Sequence, residues 1–554
     1  MRKTFISLLL SMAFLAGCIH NDLPYPVVVP NITSISVQDA VKVDIDYDAQ
    51  TVTVYVSETT DLRKVVIQSV DFDIDFAKPS VHLLGTHDLT TPLKFKLSTY
   101  QDYVWTIKAV RPVERYFTVD GQIGSSVIDD YNCRVIAMVS EGTDISRLKV
   151  TSLKLGPKDI TTYSPDPEQM KDFTGGLAVD VTAFGLTEVW TIYVEETDVS
   201  VEIGKVNPWT TSAYVTAMAA AGNETVFRYK ESGAADWTDV DAADVTSDGG
   251  SFTAHIKGLK PSTDYEVMVT SGGDSTPVKE FTTAPATKIP NGSFEYASLV
   301  KGTNYYKFYD PSCGVEEGEY MFWGSGNGEG SEGVNGSANM GIIITTIDKN
   351  SKVDGKQSVC AQTSQMAGIL AAGNLFTGQF AGLVGTEGGM VNFGRPWTTR
   401  PVALKLYCRY TTSNIDIIGK KMPPGVTLTK DDFDRAQIKV ALGTWDYRTY
   451  GGSKDSPVHV NTTDASTFVD FGKDPSTIAN GDLILHKDGY ILNGASMVDA
   501  STWEWAEYTI PLNYHNLETL PTHIIVSCAA SQYGDYFTGC SSSKLWIDKV
   551  ELVY

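Results

Sequence analysis

One stretch of the chain reads Val391-Asn392-Phe393-Gly394-Arg395-Pro396-Trp397-Thr398-Thr399-Arg400-Pro401. Apolar residues alternate from Val402 onward, which predicts a strand with one buried face directly after this stretch. The two prolines fix φ and bias the residues before them toward extended geometry, so we predict a stiff loop at the end of that strand. Stiff loops on strand ends often carry binding sites. In the alternative interpretation the Phe and Trp close the end of a β-sandwich and the arginines lie on the surface.

Composition predicts an all-β protein of several domains. The chain has 554 residues, and its 48 glycines and 27 tyrosines, with many Thr and Val, favour sheets. That length predicts about three to five domains. With 67 acidic against 44 basic residues the net charge is −23, which disfavours nucleic acid and anionic lipid surfaces as partners.

The N-terminus carries a targeting signal. Arg2 and Lys3 precede an apolar run that ends shortly before Cys18, and this arrangement resembles a bacterial lipoprotein signal. The resemblance implies that residues 1–18 are a signal peptide region and that Cys18 is lipidated. We therefore expect a lipid anchor in the bacterial outer membrane, on its periplasmic or cell-surface side. No later segment reaches the roughly 18 apolar residues that a membrane-spanning helix needs.

Three smaller domains are predicted before the C-terminal domain. Val104-Trp105-Thr106-Ile107 recurs 85 residues later as Val189-Trp190-Thr191-Ile192, which predicts immunoglobulin-like repeats at 31–119 and 120–203 with the two tryptophans in equivalent core positions. The segment 259–269 resembles the tyrosine corner of a fibronectin type III domain, which we place at 205–285.

A jelly-roll sandwich is predicted for residues 289–554. Five separated motifs occur there, at 290–295, 372–378, 393–401, 531–539 and 545–552. Together they resemble the putative carbohydrate metabolism domain family of Bacteroidetes lipoproteins. The resemblance implies paired first and last strands and an end pocket similar to the sugar sites of glycoside hydrolases. It supplies a substrate class, an oligo- or polysaccharide, and no reaction.

Sugar recognition needs flat aromatic side chains beside fixed hydrogen-bonding groups. The residues that we expect to bind the ligand are Arg395, Trp397, Arg400, Asn374, Asp535, Tyr536, Tyr533, Trp323 and Trp445. The Arg fork suits vicinal hydroxyls and suits a uronic acid carboxylate better. We further expect Asp535 to lie within hydrogen-bonding or one-water reach of Arg395 or Arg400, with a lowered pKa.

Catalysis has weaker support in the sequence. Glycoside hydrolysis needs two carboxyl groups at a set separation, and only the scattered candidates Asp535, Glu387 and Asp446 are available. No serine-hydrolase or zinc motif is present. Glu295 and Asp548 resemble the structural calcium ligands of related jelly rolls, although a surface Glu and a capping Asp are an alternative; no other cofactor is expected.

Seven cysteines include Cys18, and their uneven distribution predicts mostly free, buried thiols. The primary hypothesis is a membrane-anchored lipoprotein that binds glycans at one end of its jelly roll, in carbohydrate uptake or metabolism. The first alternative is a glycoside hydrolase or polysaccharide lyase. The second is a structural or adhesive surface protein.

Overall fold

The computed structural model describes residues 27–554 except 221, 301–302, 314–320, 329–334, 386–387, 421 and 424. Nearly all regular structure in these ranges is β-strand, and four successive β-structures each bury their own apolar core. The predicted all-β class is thereby confirmed. The signal region with Cys18 lies outside the described residues.

The first domain has two sheets. Its strands are β1 (Ile32–Val37), β2 (Ala40–Asp46), β3 (Thr51–Val56), β4 (Val65–Phe72), β5 (Lys78–Pro79), β6 (Gly85–His87), β7 (Leu93–Ser98) and β8 (Asp102–Val110). One sheet has the order β1-β4-β6 and the other β2-β3-β8-β7-β5. Trp105 on β8 is fully buried between them. Its ring is the largest side chain of this core, as its place in the repeat predicts.

The second domain repeats this plan. Its strands are β9 (Tyr116–Val119), β10 (Gln122–Asp129), β11 (Arg134–Ser140), β12 (Val150–Lys154), β13 (Thr162–Ser164), β14 (Leu177–Ala183) and β15 (Leu186–Thr197), in the orders β10-β11-β15-β14-β13 and β12-β9. The parallel pair β3/β8 recurs as β11/β15, with Trp190 buried like Trp105. Because β9 pairs with β12 and buries Phe117 in the second core, the boundary predicted at 119 lies too late in the chain.

The third domain contains the predicted tyrosine corner. Its strands are β16 (Val201–Pro208), β17 (Ser212–Ala219), β18 (Thr225–Glu231), β19 (Thr238–Asp239), β20 (Val245–Asp248), β21 (Ser251–Lys257), β22 (Asp264–Ser271), β23 (Asp274–Ser275) and β24 (Lys279–Thr282). The buried Tyr265 accepts a hydrogen bond through its hydroxyl from the backbone N–H of Lys260 (2.9 Å). Since β16 pairs with β17, this domain begins at Val201 and not at 205.

The C-terminal domain holds the largest core. Its strands are β25 (Ser298–Leu299), β26 (Tyr306–Lys307), β27 (Trp323–Gly324), β28 (Thr345–Asp348), β29 (Ser358–Gln362), β30 (Ser364–Met366), β31 (Ile369–Ala371), β32 (Asn374–Val384), β33 (Gly388–Phe393), β34 (Arg395–Pro396), β35 (Ala403–Thr411), β36 (Ala436–Gly443), β37 (Gly451–Ser453), β38 (Ser456–Asn461), β39 (Thr477–His486), β40 (Gly489–Leu492), β41 (Val498–Asp499), β42 (Ala506–Pro511), β43 (Asn513–Tyr514), β44 (His523–Ala529) and β45 (Lys544–Val553). The helix α1 spans Tyr447–Tyr450, and short 3-10 turns across the chain span Leu62–Lys64, Pro167–Gln169, Ala242–Asp244, Pro311–Cys313, Ser337–Met340, Ala465–Thr467 and Gly534–Tyr536.

Two sheets of this domain pack face to face. The large sheet follows the order β37-β38-β33-β32-β44-β36-β39-β40-β41, and the smaller one follows β28-β29-β45-β35-β42. The alternation after the opening loop is confirmed, because Leu404, Leu406, Cys408 and Tyr410 are all fully buried between the sheets.

The expected pairing of a first with a last strand is wrong. The last strand, β45, lies between β29 and β35. Residues 291–294 form a turn, which reaches β45 through the bond from Val550 N–H to Gly292 O (2.8 Å). A side chain at Gly292 would collide with the Val550 carbonyl, so glycine permits this close approach.

The five cysteines whose side chains the structure describes are free, as predicted. Cys360, Cys408, Cys528 and Cys540 are buried, and Cys133 is partly buried. Burial raises the pKa of the Cys360 thiol to about 12. These thiols therefore act as small apolar groups of the core.

Candidate functional site

The outer face of the large sheet carries polar side chains at its centre. On β36 and its neighbours, Ile438, Leu483 and Cys528 point inward to the core between the sheets. Because successive residues of a strand point to opposite faces, the residues between them point away from the core. The sequence of β36 thus places Gln437 and Lys439 on the outer face.

Strand register sets these side chains in rows. Lys439 pairs with Ser527 of β44 on one side and with Asp482 of β39 on the other. In the next row, Gln437 and Asn374 both pair with Ala529. The sheet therefore presents a cation, a carboxyl group, a hydroxyl and two amides within two adjacent rows.

The loop between β44 and β45 forms a wall beside these rows. Its 3-10 turn, Gly534–Tyr536, is followed by Phe537 in the left-handed region (φ 54°). The buried carboxylate of Asp434 fixes the start and the end of the loop, since it accepts hydrogen bonds from Ser531 Oγ (2.6 Å) and Ser543 Oγ (2.8 Å). The backbone N–H of Cys540 donates a third bond to the same oxygen (2.8 Å).

Sheet and wall enclose a cavity of about 290 Å³, which we call the sheet cavity. Its lining combines amide, hydroxyl, charged and aromatic groups, and comprises Ala372, Asn374, Pro423, Gln437, Lys439, Phe468, Ser527, Ala529, Ser531, Gln532, Tyr533, Gly534, Asp535 and Tyr536. Phe468 and Tyr536 meet edge to face with ring centroids 5.4 Å apart. This volume is near the lower end of small-molecule sites, which begin at about 300 Å³.

Asp535 projects into the sheet cavity with its carboxyl group accessible. The side chain is exposed because it lines an open space, while protein atoms surround that space and desolvate the carboxylate. Desolvation raises the pKa of Asp535, and the positive charge of Lys439 partly opposes this rise. Within the described part of the chain, no hydrogen bond engages the Asp535 carboxyl group.

Asp482 is the second carboxyl group near Lys439. Burial raises its pKa, whereas a hydrogen bond from Gln437 Nε2 (2.8 Å) and the charge of Lys439 lower it. Asp482 is thus already engaged with the sheet, in contrast to Asp535. The arrangement supplies one accessible acceptor, one cation and several amides, which is the set of groups that a hydroxyl-rich ligand needs.

Four of the predicted ligand-binding residues meet in the sheet cavity. Asn374, Tyr533, Asp535 and Tyr536 all line it. Asn374 is held by its own bonds: its Oδ1 accepts from Gly326 N–H (2.8 Å) and its Nδ2 donates to Ala372 O (3.1 Å). Two distant segments of the sequence thus converge on one site.

Arg395 lies elsewhere, which corrects its prediction as a ligand-binding residue. Its side chain is 1% exposed. The guanidinium donates to Ser456 Oγ (2.5 Å), to Gly378 O (2.6 Å) and to the carbonyls of Met321 and Phe322. Arg395 therefore connects backbone segments inside the domain and presents no donor to a ligand on the surface.

Arg400 also differs from its prediction, because it lies between the third and fourth domains. Its guanidinium donates to Leu517 O (2.7 Å), Asn207 Oδ1 (2.9 Å) and Pro208 O (2.8 Å), and lies 4.5 Å from the ring centre of Trp209. Burial lowers its pKa. The expected contact of Asp535 with either arginine, and its lowered pKa, are therefore wrong; the cation that acts on Asp535 is Lys439.

The three predicted tryptophans are buried side chains. Trp397 and Trp323 belong to the core between the sheets, where Trp323 Nε1 donates to Pro290 O (2.9 Å). Trp445 belongs to a small apolar cluster on the outer face and donates to Asp474 Oδ2 (2.9 Å). None of the three lines the sheet cavity, because an indole ring gains more from these packed positions than from solvent.

The other two candidates for a catalytic carboxyl group are Asp446 and Glu387. Asp446 caps helix α1 through Arg448 N–H (2.9 Å) and forms an ion pair with the same residue, which lowers its pKa; it is a cap and not a catalytic acid. Glu387 lies outside the described residues.

The two residues predicted for calcium hold a loop. Glu295 accepts from Lys356 N–H (2.9 Å) and Asp548 accepts from Val353 N–H (2.9 Å). In the described ranges, no group of three or more His, Cys, Asp or Glu side chains could hold a metal ion. These contacts match the alternative of a capping role, and the calcium ion stays a prediction.

Sequence reasoning missed Lys439, Gln437, Ser527 and Phe468. A signal existed in Ala436–Gly443, where a lysine and a glutamine alternate with apolar residues inside a strand at the centre of the domain. A polar face on a central strand indicates either solvent or a site. Only the loops above the sheet distinguish the two.

The C-terminal part of the chain matches a known protein family. Residues 293–553 match the family model described as putative carbohydrate metabolism domain. The predicted resemblance of the C-terminal domain to this family is thereby confirmed. The sheet cavity lies within the matched residues.

Solved structures that match part of the chain include two from Bacteroides. A putative glycoside hydrolase from Bacteroides thetaiotaomicron shares 18% identity, covering 78% of this chain and 92% of that chain, with a TM-score of 0.31. A putative glycoside hydrolase from Bacteroides vulgatus shares 18% identity, covering 48% of this chain and 98% of that chain, with a TM-score of 0.30. The polymeric Ig receptor ectodomain of a teleost fish shares 14% identity over 31% of this chain and 86% of that chain, with a TM-score of 0.15. A comparison with curated proteins finds no match.

Proposed function

We propose that the carbohydrate metabolism domain binds a glycan in the sheet cavity. One observation carries the proposal: Asp535, Lys439, Gln437 and the tyrosines at 533 and 536 converge on one cavity, and the Asp535 carboxylate has no hydrogen-bond partner in the described part of the chain. An accessible acceptor beside a cation matches the alternating donor and acceptor character of sugar hydroxyls. Flat rings at the rim offer apolar faces for the C–H side of a pyranose.

The test is a titration of the full chain with a panel of purified oligosaccharides, measured by calorimetry. For any glycan that binds, we expect Lys439→Ala and Asp535→Ala each to weaken binding at least tenfold. Lys405→Ala is the matched control, since Lys405 lies on the smaller sheet in an ion pair with Glu551. Unchanged affinity of both cavity variants for every responsive glycan would refute this site.

Glycoside hydrolysis is a second candidate function, and the raised pKa of Asp535 favours it. A carboxyl group that keeps its proton to a higher pH suits a general acid. Hydrolysis also needs a second carboxyl group, and Asp482 is the candidate on the same sheet face. Product release from the glycan panel is the assay, and Asp535→Asn should abolish release while binding persists; release that survives this change excludes Asp535 as the acid.

The chain is proposed to act in carbohydrate uptake or metabolism as a lipid-anchored outer-membrane protein. The lipoprotein-like signal that ends at Cys18 supports this. No helix in the described ranges is long and apolar enough to span a membrane. Cys18→Ser should move the protein from the membrane fraction to the soluble fraction and remove the acyl mass from the N-terminal peptide. A membrane-bound Cys18→Ser variant would contradict the anchor.

A further inference from the structure

An apolar groove continues from the sheet cavity past Asp535. It has a volume of about 160 Å³, and its walls include Ile342, Ile344, Leu370, Phe380, Leu383 and Phe537. The groove and the sheet cavity share Ala372, Asn374, Gly534 and Asp535. One ligand can therefore occupy both spaces at once.

The outer edge of the groove carries exposed apolar side chains. Met340, Met366 and Ile369 are 38%, 41% and 39% exposed. Met366 and Ile369 pair across the hairpin of β30 and β31, whose turn residues Ala367 and Gly368 both have positive φ (51° and 81°). Clustered exposed apolar surface is unfavourable in water and marks interaction sites. Methionine adapts its shape to apolar ligands.

The groove has few polar side chains, namely Ser337, Asn374, Thr462 and Asp535. Thr462 Oγ1 accepts from Gly389 N–H (2.9 Å), and the Asn374 amide is bound to Gly326 and Ala372. Ser337 Oγ has no hydrogen-bond partner in the described part of the chain, and Asp535 lies where the groove meets the sheet cavity. A sugar ring placed in the groove would lose the hydration of most of its hydroxyls and gain few partners, which costs free energy. An apolar group has no such cost. An apolar cavity of about 150 Å³ is known to hold benzene, so this groove has room for a ring or a short alkyl chain.

We propose that the groove binds an apolar substituent attached to the sugar, a phenyl or short alkyl aglycone, while the sugar lies in the sheet cavity. The ligand class is thus an amphiphilic glycoside. This inference rests on the proposed glycan site, because Asp535 stands where the two parts of the ligand would join. The continuity of the two spaces, the apolar walls and the exposed methionines all point to the same occupant.

Two measurements test the groove. Crystals of the full chain are pressurised with xenon, and we expect xenon density between Ile344, Leu383 and Phe537; a groove without xenon overturns the inference whether or not glycans bind. In solution, phenyl and methyl glycosides of each of several pyranoses are compared by calorimetry. We expect the phenyl glycoside of a responsive sugar to bind at least tenfold tighter, which corresponds to about 1.4 kcal/mol.

Variants separate the groove from the glycan site. Met366→Glu and Ile369→Glu change exposed residues, and each should remove the phenyl advantage while leaving the affinity for the methyl glycoside unchanged. Val498→Glu is the control, since Val498 is an exposed apolar residue at the far edge of the large sheet. Equal affinities for phenyl and methyl glycosides would overturn the groove and leave the glycan site standing. Phenyl binding that depends on Met366 but not on Lys439 or Asp535 would support the groove and contradict the glycan site.

Discussion

The ammonium group of Lys439 acts electrostatically on the carboxyl group of Asp535, although one lies on the central strand β36 and the other in the loop before β45. Desolvation in the cavity raises the pKa of Asp535, and Lys439 limits the rise. Lys439 therefore offsets part of the desolvation of the Asp535 carboxylate in a cavity that is partly shielded from water. A glycan hydroxyl between the two groups would accept from one and donate to the other.

The titration of Asp535 provides the first prediction. We expect its carboxyl group to titrate above the usual aspartate range, and to move further upward in Lys439→Met, because the change removes the charge that favours the carboxylate. Glycan binding that uses the carboxylate should weaken as the pH falls through this raised pKa. Carbon-13 NMR of the side-chain carboxyl groups measures the pKa of Asp535 in the wild type and in Lys439→Met. Asp432 is the internal control, since hydrogen bonds from Thr429 lower its pKa. An Asp535 pKa that does not respond to Lys439→Met would contradict this coupling.

Arg395 provides the second prediction. Arg395→Ala removes donors from several buried acceptors, so we expect it to destabilise the C-terminal domain by about 3–5 kcal/mol. Arg395→Lys should recover only part of this loss, because a single ammonium cannot replace the planar fork. Amide hydrogen exchange of β32 and β35 in the full chain reports the change.

The control for Arg395 is Arg228→Ala, which breaks an exposed ion pair with Asp239 in the third domain. Exposed pairs contribute about 0–1 kcal/mol, so exchange there should barely change. If Arg395→Ala left exchange unaltered but abolished glycan binding, Arg395 would be a binding residue after all.

The sequence predicted one half of the site and misassigned the other for a physical reason. The turn around Asp535 contains a glycine and is flanked by two tyrosines. A turn does not require aromatic side chains, which indicated a binding role, and this turn does line the cavity. The loop with Arg395 and Trp397 carries the same residue types, yet a guanidinium can bind buried carbonyls as well as sugar hydroxyls. The local sequence therefore does not show whether an arginine binds buried carbonyls or a sugar. Lys439 was missed because its partners, Ser527 and Asp482, become neighbours only through strand register.

The repeated tryptophan motif and the alternation of apolar residues predicted the structure more reliably than the residue types of the loops did. The recurring Trp105 and Trp190 occupy equivalent positions because each repeat must fill one core with one large ring. Domain boundaries at 119 and 203 were misplaced by a few residues, since β9 and β16 begin immediately after short linkers that carry no glycine or proline cluster of their own.

The contact between the third and fourth domains provides the third prediction. Arg400 joins them through Asn207, Pro208 and Trp209, and Trp209 also packs on Tyr514 with ring centroids 4.7 Å apart. Arg400→Ala leaves these carbonyl and amide acceptors unpaired. We expect a looser domain arrangement, seen as a larger radius of gyration in small-angle X-ray scattering, with glycan affinity unchanged. Arg409→Ala, within the C-terminal domain, should leave the radius unaltered. A rigid Arg400→Ala protein would show that the remaining contacts, the Trp209–Tyr514 packing, the Lys205–Glu518 ion pair and the hydrogen bond from Asn207 Nδ2 to Leu517 O, hold the domains without Arg400.

The last prediction concerns Asp434, which holds the wall of the sheet cavity in place. Burial raises the pKa of this carboxyl group to about 6, against the ordinary 3.8, despite four hydrogen bonds to it. A carboxyl group with a raised folded-state pKa contributes stability that is fully present below pH 3.8 and is lost as the pH rises through about 6.

The difference in unfolding free energy between the wild type and Asp434→Asn should therefore fall by roughly 2 kcal/mol from pH 4 to pH 7. Asp434→Asn itself should be destabilising at both pH values, because its amide N–H₂ would face groups that are donors. Amide hydrogen exchange of β36 and β44 in the full chain measures the difference. Asp432→Asn is the matched control two residues away: the pKa of Asp432 is lowered, so its contribution to stability is lost only as the pH falls below the ordinary 3.8, and the difference between wild type and Asp432→Asn should stay nearly constant from pH 4 to pH 7. Parallel pH profiles for wild type and Asp434→Asn would mean that the Asp434 carboxyl group is charged at no extra cost, and that its four hydrogen bonds fully replace water.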